Sequence, residues 1–479
     1  MIRVLSFAIF CSLTCAGWTQ QYKANPSLIQ NTDFQWEDGV LKDWTVERGA
    51  GSGKIKSIIR KTSDGALQFV GRQNVQVWDV VSQNFETSAG DFLRFSYTAK
   101  ATGVQQQRGQ FRNCYAGIWF SNSDGQNLGN TFFPITDEEF TSHERVVQVP
   151  ATATIASVTM FLSMTGDLQF KTIDVQKLET DDSFDVLVSQ LNRYYSYFEY
   201  KQIDWPGLAE KYRTEATEAS DRREFENVVS KMLGEFRDGH VWIVKNGTRV
   251  PTWRPERPAL NFDFGIVGKQ LKDVKRFGPI GLVAATNNDL TYVRVTGLQG
   301  DPKNVEAMMA EITERFGSRG MVIDLRANGG GSEPFARAIA GLFCKEPVQY
   351  AINRFRKNDK LDEFFEYPRS PVMPAEDKEV FDGPVVCLIG PGAVSSAEGM
   401  AMMFQALPNA TLMGQPTRGS SGNPASVVLP NQVEVWFSRW VACTADGQPI
   451  EDRGVQPDVI VKHQAGSDAT WIQAKESFK

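Results

Sequence analysis

The chain has 479 residues, a length that predicts about three domains and a sizeable buried core. Hydrophobic residues make up 41% of it and charged residues 23%, a balance typical of globular proteins that excludes a disordered, collagen-like or multi-span membrane protein. Its 51 Lys and Arg residues against 57 Asp and Glu residues leave a net charge of −6, so no overall positive charge favours nucleic acid as a partner.

The first 17 residues have the organisation of a signal peptide. Arg3 precedes an apolar run from Val4 to Leu13, and small residues follow at the expected cleavage site. A lipid anchor would need a cysteine behind a small residue, whereas Cys11 follows a phenylalanine and Cys15 a threonine. No other segment approaches the roughly 20 apolar residues of a membrane helix. We therefore expect a chain exported to the periplasm or the extracellular space, without a membrane span.

Residues 25–179 contain many short alternating runs between Gly, Asn, Asp and Ser clusters, a pattern that predicts an all-β, jelly-roll-like sandwich. The opening from Asn31 to Phe34, followed by Trp44, resembles the start of carbohydrate-binding modules. That resemblance implies carbohydrate as a candidate partner. Four tryptophans could stack on sugar rings, although core packing is the commoner role of aromatic residues in a small sandwich: Trp36, Trp44, Trp78 and Trp119.

Residues 182–245 change to a helical period and predict a helical subdomain. Its clearest helix starts at Asp221, which can cap it together with Glu224 three residues later. We expect this helix to stop at Asp238 and Gly239. His240 then follows directly, ahead of a short strand from Val241 to Val244.

Residues 246–465 alternate between strand and helix patterns and predict an α/β core built from βαβ units. We expect the following elements: strands over 291–295, 321–325, 384–389 and 411–413, helices over 304–316, 332–343 and from about 395, a hairpin over 426–443 and a last strand over 458–461.

Three loops of this core carry residues suited to chemistry. A strand ends at Asp324 and runs into three glycines, Gly329 to Gly331, whose backbone N–H groups could approach an oxyanion or simply form a tight turn. Ser395 and Ser396 stand where a strand turns into a helix, so either could be a nucleophile at the positive end of the helix dipole or an ordinary N-cap. The third loop runs from Glu451 to Asp458.

The histidines restrict the choice of a base for such a serine. His143 lies in the sandwich region and His463 near the C-terminal end, which leaves His240. Once the two cysteines of the leader are set aside, four remain without any metal-ligand spacing: Cys114, Cys344, Cys387 and Cys443. We therefore expect no metal site and no cofactor, and a buried, purely hydrophobic role for Cys387.

Taken in chain order, these motifs resemble the tail-specific (C-terminal processing) serine peptidase family. The resemblance rests on Asp238-Gly239-His240, on Asp324 to Gly331, on Ser395 to Glu398, and on Glu451 with Gly454 and Pro457. It implies a crotonase/ClpP-like α/β core. It selects Ser395 as the nucleophile, because the family's serine precedes the motif glutamate by three residues.

One branch of the family uses a Ser-Lys dyad, but Ser420 stands in the lysine's place. The other branch, which resembles the tricorn core and interphotoreceptor retinoid-binding protein, uses a histidine and a distant glutamate, matched here by His240 and Glu451. In tricorn a serine before the histidine links the two, whereas this chain has Gly239. The short interval between His240 and Asp324 leaves little room for a PDZ domain.

The sequence therefore predicts an exported serine peptidase that acts on peptides or proteins. Ser395 would attack, His240 would be the general base, and Glu451 would orient or stabilise the imidazolium. The resemblance implies an oxyanion hole made by the N–H groups of Ser396 and of Gly330 or Gly329. Two alternatives remain open: a non-catalytic ligand- or lipid-binding protein on the same fold, and a polysaccharide-binding protein that acts through the sandwich.

Overall fold

The structure of the chain is a computed structural model that describes residues 25–48, 58–71, 79–104, 114–162, 166–254, 256, 259–357, 361–376, 379–464 and 466–478. The expected signal peptide and Trp78 lie outside these residues. The chain consists of two compact units, and the boundary between them lies between Val186 and Leu187.

The first unit is built from antiparallel strands in two five-stranded sheets. The sheet orders are β10-β7-β12-β5-β4 and β3-β6-β11-β8-β9, and β1 and β2 form a separate pair. The strands are β1 Trp36–Glu37, β2 Val40–Leu41, β3 Thr45–Arg48, β4 Ile58–Lys61, β5 Leu67–Val70, β6 Asp79–Glu86, β7 Phe92–Thr102, β8 Cys114–Ser121, β9 Asn127–Pro134, β10 Thr141–Gln148, β11 Ile155–Leu162 and β12 Asp167–Leu178.

Alternation along these strands creates the sandwich core. On β7, Phe95 and Tyr97 are buried while Arg94 and Ser96 are partly exposed, as the two-residue period of a strand requires. Side chains from the inner faces of both sheets form one cluster, which confirms the predicted all-β sandwich. Trp44 belongs to that cluster and Trp36 packs against it, whereas Trp119 is half-buried and lies outside it.

The rest of the chain forms helices and three further sheets. Its elements are α1 Ser183–Tyr194, α2 Trp205–Thr217, α3 Arg222–Gly234, β13 Trp242–Lys245, β14 Thr248–Pro251, α4 Phe264–Gly268, β15 Leu271–Phe277, β16 Gly281–Thr286, β17 Leu290–Val295, α5 Pro302–Thr313, β18 Gly320–Asp324, α6 Glu333–Ala340, β19 Ala351–Arg356, β20 Phe364–Pro368, β21 Val385–Ile389, α7 Ser396–Gln405, β22 Ala410–Gly414, β23 Ala425–Val428, β24 Glu434–Phe437, β25 Val441–Thr444, β26 Val459–Ile460 and α8 Ala469–Glu476. Short 3₁₀ turns cover Thr180–Asp182 and Gly341–Phe343.

A seven-stranded sheet in the order β15-β16-β17-β18-β21-β22-β26 organises the second unit. Strands β17, β18, β21, β22 and β26 are parallel, as the predicted βαβ units require. Apolar side chains of α5, α6 and α7 pack on one face of the sheet, and those of α4 and α8 pack on the other. The central strands are buried throughout because helices cover both faces.

Two smaller sheets, β14-β13-β24-β23 and β20-β19-β25, complete this unit. The predicted hairpin over 426–443 is only partly right. β23 and β24 do form a hairpin, but Val441–Thr444 pairs with β19 in the other sheet. The chain leaves the hairpin after Phe437, where the N–H of Arg439 donates to the carbonyl oxygen of Gly422 instead of extending the ladder.

The helix predicted from Asp221 is confirmed, since the Asp221 carboxylate accepts the N–H of Glu224. It ends at Gly234, however, four residues before the expected stop. The N–H groups of Phe236 and Arg237 donate to the carbonyl oxygens three residues back, which is the bonding pattern of a 3₁₀ turn. Arg237 also has a positive φ of 49°, which a helix cannot contain.

No helix of the described residues is both long and apolar enough to cross a membrane. Cys387 is completely buried within β21, as expected.

Candidate active site

Three loops meet at one edge of the seven-stranded sheet. Strands β18, β21 and β22 are parallel neighbours, and each is followed by a loop that carries candidate site residues. After β18 come Gly329 and Gly330, after β21 comes Ser395, and after β22 comes the segment 415–424, which we call the Ser420 loop. Because the carboxyl ends of parallel strands share an edge, this is where ligand sites of open α/β sheets form.

Ser395 lies in a strained turn at the start of α7. Its φ of 60° and ψ of −124° belong to a region that non-glycine residues rarely adopt. Sharp turns of this kind between a strand and a helix expose the serine of other hydrolases. The N–H of Ser395 donates to the carbonyl oxygen of Ser420 at 3.0 Å and to Glu398 Oε2 at 3.0 Å. These bonds hold the turn in its unfavourable conformation.

Glu398 fastens the Ser420 loop to this turn. Its fully buried carboxylate accepts the N–H groups of Ser395, Ser420 and Gly419 and the hydroxyl of Thr417, over distances from 2.6 to 3.0 Å. Burial raises the pKa of Glu398 to about 7, although these four donors favour its charged form. Glu398 is therefore a structural clamp rather than a group exposed to a substrate.

Backbone N–H groups line the space beside Ser395. A Cβ atom built on Gly330 would lie 2.9 Å from Ser395 Cβ and 3.1 Å from the nitrogen of Ser396. The N–H of Gly330 donates to Asn328 Oδ1 at 2.8 Å. The N–H groups of Gly329 and Ser396 have no hydrogen-bond partner among the described residues. Ser396 is the first residue of α7, where a helix leaves its N–H unpaired.

His240 is buried immediately before β13. Its Nδ1 lies 2.9 Å from Ser420 Oγ, and its backbone N–H donates to Asp238 Oδ1 at 2.7 Å. Burial lowers the pKa of His240, the negative Asp238 opposes that change, and the positive Arg249 adds to it. A neutral imidazole, able to accept a proton, is the form that this environment favours.

Asp238 contacts the backbone of His240, not the imidazole. Its second oxygen accepts the hydroxyl of Tyr195 at 3.2 Å and that of Ser438 at 2.8 Å, and the carboxylate is completely buried. These bonds fix the turn on which His240 stands.

Glu451 is buried next to the Ser420 loop. Its Oε1 pairs with Lys201 Nζ at 3.0 Å, and its Oε2 accepts the N–H of Ser421 at 3.4 Å. Burial and the nearby Asp238 raise the pKa of Glu451, while Lys201 opposes that change. Among the described residues no hydrogen bond joins Glu451 to His240. The glutamate is linked to the segments around the histidine through the N–H of Ser421 and, by way of Lys201 Nζ, through the carbonyl oxygen of Arg237.

The structure thus gathers the loops of all the predicted site residues around Ser395. It also adds two residues for which the sequence reasoning had assigned no role. The sequence indicates Ser420 only as the residue in the place of the dyad lysine, and no pattern in it singles out Lys201. A glycine before His240 together with a serine in the lysine's place is the sequence feature that could have indicated the role of Ser420. No sequence feature indicates the role of Lys201, since it lies 250 positions before Glu451 in the chain.

Comparisons with known proteins agree with this geometry. Residues 289–461, which include Ser395 and Glu451, match the model of Peptidase family S41. This segment belongs to peptidase family S41. Residues 176–234, which end shortly before the His240 turn, match the Tricorn protease C1 domain. The predicted family is therefore confirmed, and the helical segment is the part that resembles tricorn.

Two similar proteins are a curated protease and a solved structure. The carboxy-terminal processing protease CtpA of Bacillus subtilis (strain 168) is 23% identical over 195 residues, which are 40% of this chain and 39% of that protein. The chain thus matches about two fifths of the length of this curated relative. A crystal structure from Parabacteroides merdae, described as a candidate peptidase, is 25% identical with a TM-score of 0.53, and the match covers 62% of this chain and 96% of that one.

Proposed function

We propose that the chain is an exported serine peptidase. The observation that carries this proposal is the Ser395 turn, which is strained, lies at the start of a buried helix, and is bonded to Ser420, the residue that contacts His240. Strained serines persist where the surrounding structure holds them for chemistry. The membership of residues 289–461 in peptidase family S41 supports the same reaction.

In this mechanism Ser395 Oγ attacks the carbonyl carbon of a peptide bond while His240 takes its proton and later returns it to the leaving amine. The N–H groups of Ser396 and Gly329 have no partner in the part of the chain that the structure describes, and they are the proposed donors to the oxyanion. Gly330 is not a proposed donor, because its N–H already binds Asn328. Its lack of a side chain lets its loop lie close to Ser395. Glu451 is a buried carboxyl group behind the Ser420 loop, where it contacts the N–H of Ser421 and Lys201 Nζ.

A fluorophosphonate probe, a general reagent for activated serines, tests this proposal. The wild-type chain should be labelled, and Ser395→Ala should not be. Ser332→Ala is the matched control, since Ser332 also caps a helix but has an ordinary φ of −76°. Labelling should remain in the control because its helix cap carries no activated hydroxyl. An unlabelled wild-type chain would contradict the proposal and favour a ligand- or lipid-binding protein.

A digest of a peptide library with the wild-type and Ser395→Ala chains then separates peptidases from other serine hydrolases. Cleavage by the first and not by the second is expected. A labelled chain that cleaves no peptide would be a hydrolase of another class. The signal-peptide pattern supports export, and sequencing the N-terminus of the mature protein tests it.

A second candidate function belongs to the β-sandwich. Trp119 is half-buried, and the residues directly opposite it are the polar Asn130 and Ser157, with Asn84 next to Ser157. The ring of Phe132 packs edge-on against its indole at 5.1 Å between centroids. An aromatic ring beside amide and hydroxyl groups suits a sugar. A glycan-binding screen of the full chain should show binding that Trp119→Ala removes and that Val40→Ala, an exposed control, keeps. Failure of the wild-type chain to bind any glycan would contradict this function.

A further inference from the structure

Ser420 contacts both the candidate base and the candidate nucleophile turn. Its hydroxyl oxygen lies 2.9 Å from His240 Nδ1. Its carbonyl oxygen accepts the N–H of Ser395 at 3.0 Å, and its own N–H donates to Glu398 Oε2 at 2.9 Å. Three different atoms of one residue therefore connect the two halves of the site.

Gly239 leaves open the space that this hydroxyl uses. A Cβ atom built on Gly239 would lie 3.3 Å from Ser420 Oγ, closer than most such contacts. The backbone of Gly239 does not have a positive φ, so its conformation would permit a side chain. The hydroxyl beside His240 thus comes from a residue 180 positions later in the chain, not from the residue before the histidine.

We propose that Ser420 Oγ positions His240 by accepting the Nδ1–H of the neutral imidazole. This inference rests on the serine peptidase function proposed above. A neutral imidazole has one N–H donor and one acceptor nitrogen, and the hydrogen bond of one nitrogen sets the state of the other. With its proton on Nδ1, His240 keeps the lone pair on Nε2, which is the atom that removes the proton from Ser395 in a triad of this kind.

The contacts behind Ser420 give its hydroxyl a defined place. The carbonyl oxygen of the next residue, Ser421, accepts the hydroxyl of Tyr197 at 3.2 Å and the indole N–H of Trp440 at 3.0 Å. The N–H of Ser421 donates to Glu451. Glu451 therefore acts on His240 through the position of the Ser420 loop, which explains how it can matter without touching the imidazole.

Three variants test the role of the hydroxyl in peptide hydrolysis. Ser420→Ala should lower kcat at least tenfold with KM changed less than twofold, because its backbone bonds to Ser395 and Glu398 remain. Gly239→Ser in the Ser420→Ala background returns a hydroxyl from the other side and should recover at least threefold in kcat. Gly239→Ala in the same background is the matched control and should recover nothing. A fully active Ser420→Ala chain, or equal recovery by both double variants, would overturn the inference.

A measurement that needs no activity separates this inference from the proposed function. The chain has only three histidines, so the ring nitrogens of ¹⁵N-histidine-labelled protein can be assigned by NMR with a His240→Gln chain as reference. Neutral His240 should carry its proton on Nδ1 in the wild-type chain and lose that preference in Ser420→Ala. An unchanged tautomer would overturn the role of Ser420 whatever the activity. A chain that shows the expected tautomers but takes no fluorophosphonate would refute the peptidase instead.

Discussion

Replacing Gly330 by alanine should disturb the turn that carries Ser395. Gly330 has a φ of 92°, in the region where an L-residue is strained. Its added Cβ would lie 2.8 Å from the carbonyl oxygen of Val394 and 2.9 Å from Ser395 Cβ. Both contacts involve the turn that presents the nucleophile, so the strain cannot be relieved by a flexible side chain.

Two contributions set the expected magnitude. The left-handed backbone conformation costs an L-residue about 1–2 kcal/mol. Forcing a methyl group into a closely packed region costs about 1–3 kcal/mol more. Together they predict a loss of about 2–5 kcal/mol in the free energy of unfolding. For a unit of this size that corresponds to a fall of at least about 3 °C in its thermal transition.

Calorimetry of the full chain and the rate of fluorophosphonate labelling together check this prediction. Gly329→Ala is the matched control, because a Cβ on Gly329 would meet no atom within 4 Å and its φ is not positive. The control should melt like the wild-type chain. Gly330→Ala should melt lower and label at least tenfold more slowly, since Ser395 must move. A Gly330→Ala chain with wild-type melting and labelling would refute the geometry described for this loop.

Three further predictions concern buried charge. Because burial lowers the pKa of His240, kcat/KM should fall in acid with a midpoint below the ordinary value of 6.5, and a midpoint above 6.5 in a pH profile would contradict this. Glu398→Gln should lower the free energy of unfolding by about 2–4 kcal/mol, because an amide leaves at least one buried N–H without an acceptor. A denaturation curve that matches the wild type would contradict the structural role of Glu398. Lys201→Met should lower the free energy of unfolding by about 3–5 kcal/mol, because it leaves the buried Glu451 without its partner. Lys211→Met breaks an exposed pair and should hardly change the melting curve. Equal effects of the two variants would argue against the buried pair.

Much of the fold could be predicted from local pattern. Alternation of apolar and polar residues indicated the β-sandwich, and the strand-helix order after residue 290 indicated the α/β core. Both depend on residues close together in sequence, whose period reports which face is buried. The predicted ends of elements were less accurate. The α3 helix stops early because the tertiary position of Phe236 and the positive φ of Arg237 end it, and neither is visible in the helical period.

The sequence by itself determined the residue types of the site and their local setting: a serine three residues before a glutamate at a helix start, glycines after a strand, and a histidine after a helix break. Only the tertiary structure decided which of these groups touch. The hydroxyl beside His240 belongs to Ser420, and Glu451 pairs with Lys201. These partners lie 180 or more positions apart, so their contact depends on how separate helices and sheets pack against one another. No local period encodes that arrangement, because packing of the whole unit sets it.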